Sequence, residues 1–195
     1  MLGSIKYNLS HLGQFSGRDA RQTFWYYVLF LVVLQFGVGI IAAIPLYIDM
    51  FTGAFQAAQA GLGEREMQAM MMANMGDQMR TQVWISAAVG VVISILLAAS
   101  FVRRLHDTGF TGWIAVIPLG TYLFSLGYNI VNLDTMLAMM ERAMSATEPS
   151  EAFAMQGQMA STSLISWVGI LVVIGFGVLK SQDGPNKYGD APVRF

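Results

Sequence analysis

The side chains best suited to chemistry in this sequence are the arginines of two short motifs. Arg103 and Arg104 begin the string Arg-Arg-Leu-His-Asp, and Arg18 and Arg21 lie three residues apart near the N-terminus. A guanidinium group binds phosphate oxygens through paired hydrogen bonds. The arginines therefore predict a site for an anionic lipid headgroup, another phosphorylated ligand or a protein partner. The candidate site consists of Arg18, Arg21, Arg103, Arg104, His106 and Asp107.

A purely structural interpretation fits the same residues. Arg104 and Asp107 are i and i+3 neighbours on a predicted helix, so their side chains can pair. Ion pairs of this kind would anchor the chain at a membrane surface and hold its loops and tail together. The sequence alone leaves both interpretations open.

Catalysis by His106 and Asp107 is the weaker hypothesis. Adjacent residues on a helix point in different directions, so the carboxylate does not orient the imidazole as it would in a catalytic pair. The nearby hydroxyls of Thr108 and Thr111 are explained by turn formation. Without a positioned nucleophile and base, we expect no enzyme activity, no catalytic residue and no cofactor.

Methionine is concentrated in two segments between the apolar stretches. Thioethers are soft ligands that select Cu(I), which gives one hypothesis, a soft-metal site for Cu(I) or Ag(I). The alternative is an adaptable apolar face on two amphipathic helices. No His or Cys accompanies these residues, so no metal ligand is assigned. Apart from Met1, the methionines are Met50, Met67, Met70, Met71, Met72, Met75, Met79, Met136, Met139, Met140, Met144, Met155 and Met159.

The elements that must position these residues are four apolar stretches. The chain is 55% hydrophobic and only 12% charged, whereas soluble domains carry about 25% charged residues. Each stretch is near the roughly 20 residues that a helix needs to cross a bilayer. We therefore predict an all-α integral membrane protein that forms a single domain over residues 1–195. Its predicted transmembrane helices cover about 24–48, 83–102, 113–133 and 160–179, and a tail follows at 180–195.

The positive charges predict the orientation of these helices. Eight of the 11 Lys and Arg residues flank the N-terminus, the loop between spans two and three, or the tail. The positive-inside rule places these parts in the cytoplasm, so both termini face inward. The loops 49–82 and 134–163 are then extracytoplasmic and look enlarged. The net charge of −1 argues against a nucleic-acid partner.

Local signals predict where some helices begin and end. Ser16 is a candidate N-cap, with Asp19 three residues later. Gly109 suits a left-handed helix end, and Thr111 suits the N-cap of the next helix. Tyr188 is expected to tether the tail to the membrane surface, together with Phe195. The small residues Gly169, Gly175 and Gly177 predict close approach between the fourth helix and a neighbour.

Three strings on the predicted inner face resemble one family pattern. They run from Phe15 to Trp25 (FSGRDARQTFW), from Arg103 to Trp113 (RRLHDTGFTGW) and from Gly184 to Pro192 (GPNKYGDAP). Together they resemble the bacterial inner-membrane family known as domain of unknown function 805, the YhaH-like proteins. The resemblance implies a multi-pass protein of the bacterial plasma membrane, and it implies no reaction or substrate.

The function expected from these observations is non-enzymatic. We expect a small scaffold or accessory protein of the lipid bilayer. It would bind anionic lipid headgroups, a protein partner or further copies of itself. The alternative is soft-metal or small-solute handling through the Met-rich outer loops.

Overall fold

The chain folds into helices joined by short turns. The computed structural model describes the main chain of residues 1–145 and 149–192, and the side chains of 1–63, 66, 76, 78–139, 142 and 164–192. Within this part there is no β-strand, which confirms the predicted all-helical class. The helices are α1 (Leu2–Ser10), α2 (Arg21–Gln59), α3 (Glu64–Asp107), α4 (Val116–Val131), α5 (Leu133–Ser145) and α6 (Pro149–Val178), with a 3-10 turn at Gly112–Ala115 before α4.

Three helical segments are long and apolar enough to cross a membrane. They are Arg21–Gln59, Gln78–Asp107 and Gly112–Val131. Large apolar side chains on α2 stand exposed, including Phe36 at 69% and Phe51 at 75% of their surface. Exposed apolar surface of this extent is expected where lipid is the solvent. The segment Leu164–Val178 of α6 is a shorter apolar helix, so the fourth span stays a prediction.

The first enlarged loop is largely helical. Helix α2 runs on to Gln59, and α3 starts at Glu64, so the Met-rich segment continues directly into the second apolar stretch. Ala, Gln, Glu and Met favour helix and provide no reason to stop it. A 39-residue helix is about 58 Å long, well beyond the roughly 30 Å hydrocarbon core. The expectation of a separate amphipathic helix here is therefore corrected to an extension of α3.

The turn between α3 and α4 follows the local signals. Gly109 has φ +83°, a left-handed conformation that favours glycine. The hydroxyl of Thr111 accepts the N–H of Trp113 at 3.5 Å, which makes it the cap of the 3-10 turn. Both predictions are confirmed.

A small apolar core lies at the same end of the helices as this turn. Phe24, Phe101 and Leu105 are buried together, between α2 and α3. Gly177 of α6 lies so close to α2 that a methyl group there would come within 2.9 Å of Phe24. Gly169 likewise lies against the main chain of Pro118. The predicted close approach is confirmed at these two glycines and wrong at Gly175, which has open space beside it.

Candidate functional site

The segment before α2 does not cap its own helix. Residues 16–20 are non-helical, and α2 begins at Arg21 after Ala20. The carboxylate of Asp19 instead accepts hydrogen bonds from Nε of Arg103 and Oγ of Ser100, both at 2.9 Å. The prediction of a helix start at Ser16 was wrong because a buried cation 84 residues away binds the carboxylate. Burial raises the pKa of Asp19, and the bonds from Arg103 and Ser100 oppose that shift.

Arg103 ties the N-terminal segment to α3. Its Nη1 donates to the main-chain oxygens of His11 at 2.9 Å and Gln14 at 2.5 Å. Nη2 donates to Oδ1 of Asn8 at 2.6 Å. The guanidinium also lies 5.6 Å from the ring centre of Tyr7. This side chain therefore holds α1, which the sequence analysis did not predict, against the end of α3.

Arg18 ties the tail to α3 in the same way. Its Nε and Nη2 donate to Oδ1 of Asp107 at 3.2 and 3.0 Å. Nη2 also donates to the main-chain oxygen of Gln182 at 2.7 Å, and Nη1 to that of Gly184 at 2.6 Å. The main-chain N–H of Gln182 donates in return to the oxygen of Asp107 at 3.0 Å. The tail therefore docks on the end of α3.

Arg104 joins Asp107 to the end of α6. Its Nη1 pairs with Oδ2 of Asp107, which confirms the predicted i, i+3 pair. Nη1 also donates to Oγ of Ser181 at 3.2 Å, and Nη2 donates to the main-chain oxygen of Leu179. A helix C-terminus carries a partial negative charge that favours a cation. Nε of Arg104 is buried without a hydrogen-bond partner among the described residues.

The charged side chains at this end of α3 form one buried unit of five residues, here called the arginine cluster. Each of them is at most 5% exposed. Three cations face two carboxylates, and main-chain oxygens accept hydrogen bonds from all three guanidinium groups. Most of the donors are already used inside the protein, so the unit stabilises the fold as it stands. The cluster consists of Arg18, Asp19, Arg103, Arg104 and Asp107.

His106 lies at the edge of the arginine cluster. Its Nδ1 is 3.2 Å from the main-chain oxygen of Gly17, and its ring stacks on Tyr188 with 3.9 Å between centres. Asp107 faces the arginines instead, so the two neighbours do not form a histidine–carboxylate pair. Tyr188 thus packs on protein, which corrects the expectation that it tethers the tail to the membrane. Phe195 lies outside the described residues.

The six candidate residues fall into three environments. Arg18, Arg103, Arg104 and Asp107 are brought together in the cluster, His106 borders it, and Arg21 is exposed. Sequence reasoning missed Asp19 as a member. Its position inside the same motif as Arg18 was the available signal.

An apolar groove runs along α3 beside His106. Its volume is about 580 Å³, which lies within the range of ligand pockets. Leu97, Phe101 and Val102 of α3 line one wall, and Pro118 and Leu119 of α4 line the other. Phe15, His106, Thr111 and Trp113 lie at the cluster end.

Comparison with protein families shows which family the chain belongs to. Residues 12–190 match the family described as Protein of unknown function (DUF805). The chain belongs to this family. No curated protein and no solved structure gives a significant match. The predicted resemblance is therefore confirmed. The three strings that carry it are also the three segments that meet in the arginine cluster.

The soft-metal hypothesis for this DUF805 protein stays a prediction. The side chains of Met67, Met70, Met71, Met72, Met75, Met140, Met144, Met155 and Met159 lie outside the described residues. Among the described residues, no three His, Cys, Asp or Glu side chains group as a metal site. Titration of the purified protein with Ag(I), followed by methionine methyl NMR, tests the hypothesis directly.

Proposed function

We propose that this DUF805 protein is a non-enzymatic scaffold or accessory protein that binds anionic phospholipid at the cytoplasmic face of the bacterial inner membrane. In this proposal the chain crosses the membrane four times, with both termini in the cytoplasm. The observation that carries it is the apolar groove, which ends beside the arginine cluster. An acyl chain would fill the groove and the phosphate would lie at its polar end.

The groove suits an acyl chain because its walls come from the apolar helices themselves. On the membrane side the groove is lined by apolar residues such as Leu97, Val116 and Leu119, with Ser94 as one polar exception. The other polar side chains, His106 and Thr111, lie toward the cluster end. Trp113 is 81% exposed at that end, as expected for an aromatic residue at the membrane–water boundary. A lipid has the same arrangement, with a long apolar part and one polar end.

The phosphate would meet cations outside the arginine cluster. Nζ of Lys187 lies 4.9 Å from the ring centre of Tyr188, and this ring stacks on His106. Lys187 is thus held beside the groove mouth, and Arg21 is a second exposed cation at this end. The buried arginines instead position His106, Tyr188 and the tail. In this proposal the phosphate therefore binds to the exposed cations Lys187 and Arg21, and not to the buried arginines predicted from the sequence.

Charge and aromatic residues support the proposed orientation. The cluster end carries the surplus of Lys and Arg, which favours the cytoplasm. Trp25 lies near the same end of α2, and its Nε1 donates to the main-chain oxygen of Gly177 at 2.9 Å. Reporter fusions after Gly109 and after Ala60 test this topology, with opposite compartments expected for the two sites.

Native mass spectrometry of the full chain with phosphatidylglycerol tests the lipid proposal. Lys187→Gln should reduce the fraction of lipid-bound protein several-fold, since about 1 kcal/mol is at stake per basic residue near an anionic surface. Lys180→Gln is the matched control, because Lys180 is exposed and pairs with Asp183 in the same tail. Equal loss in both variants would argue against a defined site.

A second pair of variants tests the groove. Ala98 lines the groove and Ala88 is exposed on the same helix away from it. Ala98→Phe should fill the space and displace the lipid, whereas Ala88→Phe should leave it bound. Lipid bound equally by all four variants and the native chain would overturn the proposal.

A further inference from the structure

A second cavity lies toward the other end of the helices, and several amide and hydroxyl side chains stand on its otherwise mainly apolar wall. Its volume is about 440 Å³, and α2, α3, α4, α5 and α6 each contribute to its wall. Gln35 comes from the middle of the first apolar stretch, Gln82 and Ser86 from α3, and Asn129 from α4. Met79 and Met136 close the side toward the Met-rich segments. We refer to it as the polar cavity.

The amides in the polar cavity are unpaired. No side-chain hydrogen bond joins Gln35, Gln82 or Asn129 to another residue in the described ranges. Several hydroxyl groups in the same wall, in contrast, do have partners. Ser125 and Ser166 bond each other at 2.9 Å, and Tyr122 donates to the main-chain oxygen of Ala87 at 3.3 Å. Gln35 and Asn129 are exposed and Gln82 is half-buried, so their amides are accessible to a molecule that enters the cavity. A molecule that both donates and accepts hydrogen bonds would pair with them.

The lining also restricts the charge of the occupant. Among the described residues that line the cavity, none is Asp, Glu, Lys, Arg or His. An ion would lose its hydration there without gaining a counter-ion, which is strongly unfavourable. Amide and hydroxyl groups offer both donors and acceptors. These properties fit an uncharged polyol or amide better than an ion.

We propose that the polar cavity is a binding site for a small uncharged solute of the polyol or amide class. Gln35, Gln82 and Asn129 supply the hydrogen bonds, Ser86 adds a hydroxyl, and Met79 and Met136 contact the carbon skeleton of the solute. This site is separate from the proposed lipid groove, which is lined by the opposite halves of α3 and α4. Either proposal can fail without the other.

Methionine methyl NMR of the full chain in lipid nanodiscs tests this site, with glycerol as the probe. The methyl signals of Met79 and Met136, assigned through Met→Leu variants, should shift and saturate as glycerol is added through the millimolar range. The signal of Met50, which is exposed on α2 and does not line the cavity, should not follow the same curve. Acetate and ethylammonium serve as charged probes of similar size and should leave Met79 and Met136 unchanged.

The double variant Gln82→Leu/Asn129→Leu removes two hydrogen-bonding groups and should weaken glycerol binding by about tenfold or more. Gln56→Leu makes the same chemical change on an exposed face of α2 and should bind as the native chain does. If the double variant fails to fold, Gln35→Leu alone is the substitute, with a smaller weakening expected. The proposal is overturned if no saturable shift occurs, if the leucine variants bind unchanged, or if the charged probes bind as well as glycerol.

Discussion

In the arginine cluster, Arg18, Arg103 and Arg104 donate to carboxylates and main-chain oxygens from four parts of the chain. In the polar cavity, Gln35 and Gln82 donate to no other described residue. Both regions place polar groups among apolar helices. One region satisfies them within the protein, and the other leaves them facing an open volume.

Whether a polar side chain has a hydrogen-bond partner within the protein indicates its role better than its residue type does. The arginines have the chemistry of a phosphate site, yet their burial and bonds to His11, Gln182 and Leu179 show that they join segments of this fold. The sequence alone assigns no site to the amides. Their unpaired state makes them the better candidates for binding.

The largest expected effect is the loss of a cluster arginine. Arg103→Gln leaves Asp19 buried without its cation, which should lower the free energy of unfolding by about 3–5 kcal/mol. Arg80→Gln is the matched control because its ion pair with Asp134 is exposed, and pairs of that kind contribute about 0–1 kcal/mol. Unfolding in mixed detergent micelles measures both. A similar small loss in the two variants would show that the cluster does not hold the fold.

The next effect concerns the docking of the tail. Arg18→Gln removes the bonds to Gln182 and Gly184, so the tail should open more often. Hydrogen exchange at the amides of residues 182–189 should accelerate by about tenfold or more, in keeping with the loss of charged hydrogen bonds. Amides in the middle of α3 should be affected less. Uniform acceleration throughout the chain would indicate global destabilisation in place of local release.

A smaller effect is expected at the stacked pair beside the groove. Tyr188→Ala removes the stacking on His106 and should cost about 0.5–1.5 kcal/mol. Tyr188→Phe keeps the ring and should be close to neutral. Melting temperatures in detergent compare the two variants. Equal losses would assign the contribution to the hydroxyl and not to the ring.

The least effect is expected from an apolar substitution in the polar cavity. Gln35→Leu breaks no bond to a described residue and removes an unpaired amide, so stability should stay the same or rise slightly. Thermal melting without added solute measures this change. A loss comparable to that of Arg103→Gln would reveal a structural role and erase the contrast between the two regions.

The sequence predicts what depends on local pattern. The apolar stretches give the helices, and Gly109 with Thr111 gives the turn between α3 and α4. The three motif strings identify the DUF805 family, which the family match confirms. These features need only neighbouring residues, so one sequence is enough to identify them.

What the sequence could not predict depends on distant partners. Asp19 lies three residues after the candidate N-cap Ser16, as in a capping box, yet it binds Arg103 and Ser100 across the fold. The partners of the cluster arginines include main-chain oxygens at residues 11, 14, 182 and 184, which no side-chain pattern marks. For the same reason, the burial of four candidate site residues could not be foreseen from their types.

The account depends most on direct coupling between the segments of the arginine cluster, and a double-mutant cycle between Asp19 and Arg103 measures it. The variants are Asp19→Asn, Arg103→Gln and the combination, compared by reversible unfolding in mixed micelles. Because the two side chains share a buried bond of 2.9 Å, the double variant should be less destabilised than the sum of the singles by at least about 1 kcal/mol. Additivity within about 0.5 kcal/mol would mean that the pair does not form and would contradict the cluster.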